Sequence, residues 1–255
     1  MIKENKFGPF IYAIALLGFG ILQIVTQNFL TGLFPVPQAL PLRMMWVFLS
    51  SAIFIISAAG AFFNIRRPFA AAMAGTLFFI FFLLLHLPLL FSDLHNGGEW
   101  TAAFETLALG SGAFIIAAAF PGQSKWGENF KRKGIISRYL LASCMIVFGC
   151  LHIVYAKYIQ TLMPSWIPLH LFWSLLITAG FFLCAISFIT GMKIKLASNL
   201  LGIMFLLWVA VLHAPRSFSK LTFEPEWSSL FVALAISGIA FSIPFMASKK
   251  AVGIQ

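Results

Sequence analysis

Apolar runs of about twenty residues alternate with short polar breaks along the whole chain. A run of that length, as a helix rising 1.5 Å per residue, crosses an apolar layer of about 30 Å. The runs predict helices near 10–25, 41–63, 68–90, 100–120, 138–157, 168–190, 196–213 and 227–246. Pro41 and Pro168 are read as helix starts, where a missing N–H costs nothing. The segments 28–40 and 157–168 carry prolines and are too broken to span. Short breaks such as 191–195 force antiparallel neighbours. Little but a helix hides its backbone polar groups in lipid, so the expected fold is all-α, polytopic, with eight transmembrane helices.

The polar positions repeat. HLPLLFSDLHNGGEW (86–100) returns 127 residues later as HAPRSFSKLTFEPEW (213–227). His86 matches His213, Pro88 matches Pro215, Glu99 matches Glu226 and Trp100 matches Trp227. Upstream the spacing is 129: Gly20, Ile24, Val25 and Pro35 match Gly149, Ile153, Val154 and Pro164. Apolar drift does not keep His, Pro, Glu and Trp in register. The chain therefore reads as two four-helix repeats, 1–120 and 138–255, joined by a basic linker over 121–137. The first run has a copy inside the chain and no small-residue cleavage pattern after it, so it reads as a spanning helix and not a signal peptide. An even number of helices per repeat gives both the same orientation, about an axis along the membrane normal.

Composition agrees with the pattern. Only 9% of residues are charged against 61% hydrophobic, far from the roughly 25% charged of soluble domains. The net charge of +10 sits in short loops, so it is an orientation signal and not a nucleic-acid surface. Thirteen of the seventeen Lys and Arg fall on one side, leaving Arg43, Lys157, Arg216 and Lys220 on the other. That asymmetry places both termini and the linker in the cytoplasm. In the linker, Lys131, Arg132 and Lys133 would meet anionic headgroups while Trp126 and Phe130 dip into the interface, or the segment is simply solvated. Cys144, Cys150 and Cys184 lie in apolar runs with no CxxC, which suits helix packing and leaves dithiol chemistry unsupported. Small-residue runs at 58–61, 70–75 and 110–113 are read as sites of close helix approach.

This topology gathers all five histidines at the outer ends, together with Asp93, Glu99, Glu105, Glu224 and Glu226. Two physical readings stay open. In one, His213 bonds Glu226 and His86 bonds Glu99 across their hairpins, while Trp100 and Trp227 anchor the interface. In the other, both elements converge on the pseudo-two-fold axis and line one outward pocket. Differences between the repeats suit an asymmetric ligand: Gln23 becomes His152, Arg43 becomes His170, Leu89 becomes Arg216 and Glu105 becomes Val232. The candidate ligand-binding set is therefore His213, Glu226, Trp227, His86, Glu99, Trp100, His152, His170, Arg216, Arg43 and Glu105. His152, His170, His213 and Glu226 are metal-ligand types without metal-ligand spacing, and His86 and His213 lie too near the surface for a haem, so metal and haem are disfavoured. No catalytic residue is assigned. The 30 Phe and 7 Trp suit lipid contact, and also a flat-ring ligand such as a quinone.

The stretches GCLHIVYAKYIQTLMPSWIPLHLFW (149–173), LLWVAVLHAPR (206–216) and EW (226–227) resemble the DoxX-like family of small bacterial membrane proteins. The match rests on Gly149, His152, Tyr158, Pro164, Pro168, Trp173, His213, Pro215, Arg216, Glu226 and Trp227, and recurs more weakly over 16–118. The resemblance implies a tandem fusion of two four-helix units in a bacterial inner membrane. For some members it implies quinone-coupled sulfur oxidation or oxidative-stress complexes. Three functions are expected. One is a binding or accessory protein with an outward pocket for a small apolar or quinone-like ligand, working with a membrane-protein partner. Another is the membrane subunit of a quinone-linked oxidoreductase, with His213 and Glu226 handling protons. The third is a structural or assembly factor without ligand. Lipid is the expected surrounding in all three.

Overall fold

The computed structural model describes residues 7–120 and 127–247. Trp126 and five of the seventeen cations, Lys3, Lys6, Lys125, Lys249 and Lys250, lie outside the described residues. Among the described residues there is no strand, and eight helices are long and apolar enough to cross a membrane. The fold is all-α and polytopic.

The chain runs α1 (Phe7–Thr26), α2 (Arg43–Phe62), α3 (Arg67–Phe81), a π-helical turn (Phe82–His86), α4 (Leu87–Ser92) and α5 (Gly97–Ala119). Then come α6 (Gly127–Val154), α7 (Ala156–Leu162), α8 (His170–Thr190), α9 (Ile194–Trp208), a second π turn (Val209–His213), α10 (Ala214–Ser219) and α11 (Glu224–Ala247).

Three expectations need correction. First, α6 begins at Gly127, so much of the expected linker is helical. The reason is a buried face: Phe130, Gly134 and Ser137 recur at helical spacing, and Phe130 meets Phe69 at 5.2 Å. Phe130 is therefore inside the protein and not in the interface. Second, Pro41 and Pro168 precede their helices, because Leu42 and Leu169 turn the chain left-handed first (φ 54° and 59°). Third, 157–168 is not all loop, since α7 fills its first half.

Local geometry recurs at the sequence spacing. Arg66 and Lys193 are another left-handed pair 127 apart (φ 45° and 51°). The two π turns are 127 apart and each ends on a histidine. Prolines explain them. Pro88 and Pro215 have no N–H to donate back one turn and their rings crowd the preceding backbone. Each helix widens just before its proline, with Leu87 N–H bonding Phe82 O and Ala214 N–H bonding Val209 O. One added residue rotates the next stretch of helix by about 100°.

Helix order in space does not follow the halves. In the ring of packed helices α1 lies between α2 and α11, and α6 lies between α5 and α8. Helices α5 and α11 also pack on each other. Each half thus lends its last long helix to the first helix of the other. Small residues allow this: a Cβ on Gly238 of α11 would stand 2.6 Å from Tyr12 N and 2.7 Å from Gly8 O of α1. The small-residue runs meet one another as expected, Gly60 against Ala70 and Gly75 against Ala113. Cys144 and Cys184 are buried, while Cys150 is exposed on the helix surface.

Each half has its own aromatic core. Phe19, Phe54 and Phe78 pack together in the first, with Phe54 and Phe78 at 5.1 Å. Phe148, Phe181 and Phe205 do so in the second, with Phe148 and Phe181 at 5.7 Å. These are the same positions at spacings of 129, 127 and 127. At one end of the bundle, Thr31 donates to Glu224 from both N (2.9 Å) and Oγ1 (2.6 Å). There too, Tyr155 Oη donates to His95 O (3.0 Å). This is the histidine end. At the other end Arg67 lies over the Phe120 ring (5.2 Å) and Lys133 over Phe114 (5.4 Å), which makes that end basic.

Candidate ligand site at the histidine end

In the first half the histidine end is closed by the chain itself. The loop after α1 turns Phe29, Leu30, Leu33 and Phe34 inward, and all four are buried. Phe34 reaches Phe81 at 4.5 Å and lies parallel to Phe54 at 6.2 Å. Arg43 clamps this plug. Its Nη1 donates to Val36 O (3.1 Å) and Pro37 O (2.7 Å), its Nη2 donates to Asn28 Oδ1 (2.6 Å), and its guanidinium covers Phe29 at 5.2 Å. The π turn aims His86 into the same place, fully buried. His86 Nε2 lies 2.9 Å from Leu33 O and 3.1 Å from Thr106 Oγ1. A carbonyl only accepts, so Nε2 carries the proton and donates to Leu33 O. Nδ1 is then a buried acceptor with no partner.

The second half is open at the same place. His170, at the position of Arg43, makes one contact with its loop, Nε2 to Pro164 O at 3.2 Å. Leu162, at the position of Leu33, is not inserted, and α7 buries none of its residues. A groove of about 280 Å³ remains between Leu162 and Pro164 on one side and Val211, Leu212, Pro215, Arg216 and Ser219 on the other. One turn before Val211, at the end of α9, Trp208 lies parallel to the His152 ring (6.0 Å, 7°), and His152 meets Phe181 edge-on at 5.2 Å. The Nδ1 atoms of His152 and His213 are buried without a hydrogen-bond partner. A larger hollow of about 530 Å³ is walled by the single segment Ile153–Tyr158 and brings no separate elements together.

The carboxylates do not bond the histidines. Glu226 is buried and accepts from Arg216 Nη2 (2.8 Å) and Lys220 Nζ (3.1 Å), while its backbone O accepts from Ser217 Oγ (3.0 Å). The cations win because they sit on the facing arm of the α10–α11 hairpin, where charge-assisted bonds form without desolvating a second buried group. Leu89 stands at the position of Arg216, and Glu99 Oε2 is buried without a hydrogen-bond partner. Trp100 and Trp227 each donate from Nε1 to a loop carbonyl, Leu94 O (3.0 Å) and Leu221 O (3.1 Å), so both brace hairpins. Glu105 is half-buried on α5 and has no hydrogen bond or ion pair among the described residues.

Of the expected site residues, Arg216 lines the groove itself. His213 ends the π turn that leads into α10, where Arg216 lies, His152 stands against Trp208, and Glu226 holds Arg216. His86, Arg43, Glu99 and Trp100 belong to the closed half, and His170 braces the open loop. Sequence reading missed Trp208, Phe181 and the plug. The plug was signalled by NFLTGLF, whose apolar residues are too many for a solvated loop. Among the described residues no three of His, Cys, Asp and Glu gather closely enough to hold a metal ion.

Compared with protein-family models, with curated proteins and with solved structures, the chain matches none of them.

Proposed function

We propose that this chain is a membrane binding protein whose second half offers a pocket to a small apolar or quinone-like ligand, and that it serves a partner complex in the membrane. We read it as a tandem duplication of a DoxX-like four-span unit in a bacterial cytoplasmic membrane, with the histidine end outward and both termini in the cytoplasm. Paired π turns and left-handed turns 127 residues apart support the duplication. Arg66, Arg67 and Lys133 at the basic end support the orientation.

One observation carries the binding reading. Equivalent places in two similar halves differ: one is filled by Leu33 and Phe34, while in the other the His152 ring lies against Trp208 and Phe181 and a groove stays open between Leu162 and Pro164 and the arm Val211–Ser219. A protein with a purely structural role gains by filling both, since interiors are close-packed. The groove is shallow and mostly apolar, with Arg216 and Ser219 as its polar side chains, a lining that suits an apolar ligand entering from the side.

The test is thermal denaturation of the protein in lipid nanodiscs with decylubiquinone. A ligand bound only by the folded state raises the midpoint saturably. Leu212→Trp, which fills the groove, should remove that rise. No saturable rise, or one that survives Leu212→Trp, refutes the proposal and favours an assembly role.

A further inference from the structure

The cations at the histidine end are unevenly shared. Arg43 is spent on the plug of the first half, and the other three, Lys157, Arg216 and Lys220, belong to the second. Asn28, Leu89 and Asp93 stand at their positions in the first half. Two of the three meet over one carboxylate. Arg216 Nη2 (2.8 Å) and Lys220 Nζ (3.1 Å) both donate to Oε1 of Glu226. The Glu226 side chain is 5% exposed, that of Arg216 35% and that of Lys220 55%, so the negative charge lies beneath and the cations lie outside it. One carboxylate balances one cation, and a unit of positive charge is left over. Glu224, the other acid on the first turn of α11, is turned to Thr31 of the first half. Among the described residues the Arg216 guanidinium commits one of its five N–H groups to a hydrogen bond, the one to Glu226.

This surplus sits at one end of the groove. The longer wall runs from Val211 to Ser219, about 12 Å at the helical rise. Val211, Leu212 and Pro215 form its deeper part, and Arg216 and Ser219 lie toward the tip of the hairpin. Leu162 and Pro164 form the opposite wall. The groove is apolar along its length and cationic at its outer end.

Resting on the groove as the binding site proposed above, we infer that its ligand is a fatty acid, the alkyl chain lying between Leu162 and Pro164 and the arm Val211–Pro215, and the carboxylate accepting from Arg216 and Lys220. Lipid tails are as apolar as the groove, so a chain gains little by passing from one to the other. The head decides. A guanidinium fork matches a carboxylate in geometry, and a surplus of one positive charge matches one ionised head. A volume of about 280 Å³ lies at the small end of ligand sites, roughly 300–1,000 Å³, and takes one chain, not the two of a phospholipid.

The experiment uses the full chain in phosphatidylcholine nanodiscs at about pH 9, well above the carboxyl range. The probe is palmitic acid with a diazirine at mid-chain, and the crosslinked residues are found by mass spectrometry. Competitors are palmitate and hexadecanol, which share a chain length and differ at the head, compared at equal membrane concentration. Crosslinks are expected on Leu162, Pro164, Val211 and Leu212. Palmitate should compete about tenfold better than hexadecanol, the ratio one net charge-assisted hydrogen bond gives. Arg216→Met leaves Lys220 balanced by Glu226, so the two competitors should become equal, and Arg216→Lys should restore part of the gap. Glu226→Gln leaves two uncompensated cations, so the gap should widen, which a purely structural Glu226 would not cause. The ratio in the parent chain tests the inference even if a variant fails to fold. Equal competition there overturns the carboxylate contact and leaves the groove as a site for an apolar ligand. Absence of displaceable labelling on those residues overturns both. Labelling abolished by phosphatidylglycerol in the disc assigns the cations to a phospholipid phosphate and overturns the fatty acid.

Discussion

Truncating the plug is the sharpest test of the asymmetry between the halves. Phe34 is 1% exposed and touches Phe81 at 4.5 Å, with Phe54 and Phe78 near 6 Å. Phe34→Ala in a soluble core costs about 3–5 kcal/mol, part of it transfer from water and part the cavity left behind. In a spanning helix the transfer part shrinks, because lipid is as apolar as the protein. The plug is different. It is a loop at the bundle end, between α1 and α2, and when it leaves its place it enters water or the headgroups. Most of the transfer part therefore remains, and we expect about 3 kcal/mol. Met163, at the same position in the second half, is only half-buried, so Met163→Ala should cost less than about 1 kcal/mol. The assay is reversible unfolding of both variants in mixed micelles against the parent. Equal costs, or less than about 1 kcal/mol for Phe34→Ala, would refute the claim that the loop is a true plug.

Further outcomes rest on single contacts. Gly238→Ala puts a Cβ 2.6 Å from Tyr12 N, which backbone cannot yield, so α1 and α11 must separate; thermal denaturation should show a loss of about 1–3 kcal/mol, and a neutral result would mean the crossing is not there. Glu226→Gln weakens bonds to Arg216 and Lys220, but both cations reach solvent, so the cost in thermal denaturation should be about 1–2 kcal/mol, with Arg216→Met giving a smaller loss because Lys220 remains. Deleting Val211 returns the second π turn to α-helical pitch and removes a groove residue; the rise in thermal midpoint with decylubiquinone should then fall while the protein still folds in nanodiscs. Single cysteines at Ser219 and Arg132, in a background without native cysteines, should react with an impermeant maleimide only from outside and only after lysis respectively; the reverse pattern would invert the proposed orientation.

What the sequence made legible was whatever depends on period and composition. Eight apolar runs became eight helices of spanning length, because lipid leaves the backbone no other way to satisfy itself. The start of α6 was not legible, since Lys131, Arg132 and Lys133 hide a helical face carried by Phe130, Gly134 and Ser137. At the candidate site, residue types were visible and pairings were not. Glu226 and His213 look like partners in the sequence because both repeat, yet Glu226 takes Arg216, which does not. The preference is set by which side chain faces the hairpin, and that depends on the π turn. Pro88 and Pro215, matched inside apolar runs, were the available sign of that turn.

The filled place and the open one are joined through α11. Its first turn carries Glu224, which holds Thr31 in the plug loop of the first half, and Glu226, which holds Arg216 on the rim of the groove in the second. Lower down, the same helix crosses α1 at Gly238, where two backbones touch and sliding is restricted. One rigid helix therefore ties the two places together. The filled half owes its closure to Arg43, with three bonds and a ring contact, where His170 makes one. A forked, permanently charged clamp therefore holds the first loop with more bonds than the single imidazole contact gives the second. An open groove lacks packing partners, and with a closed half fixed to it through α11 that cost is borne at one place in the bundle.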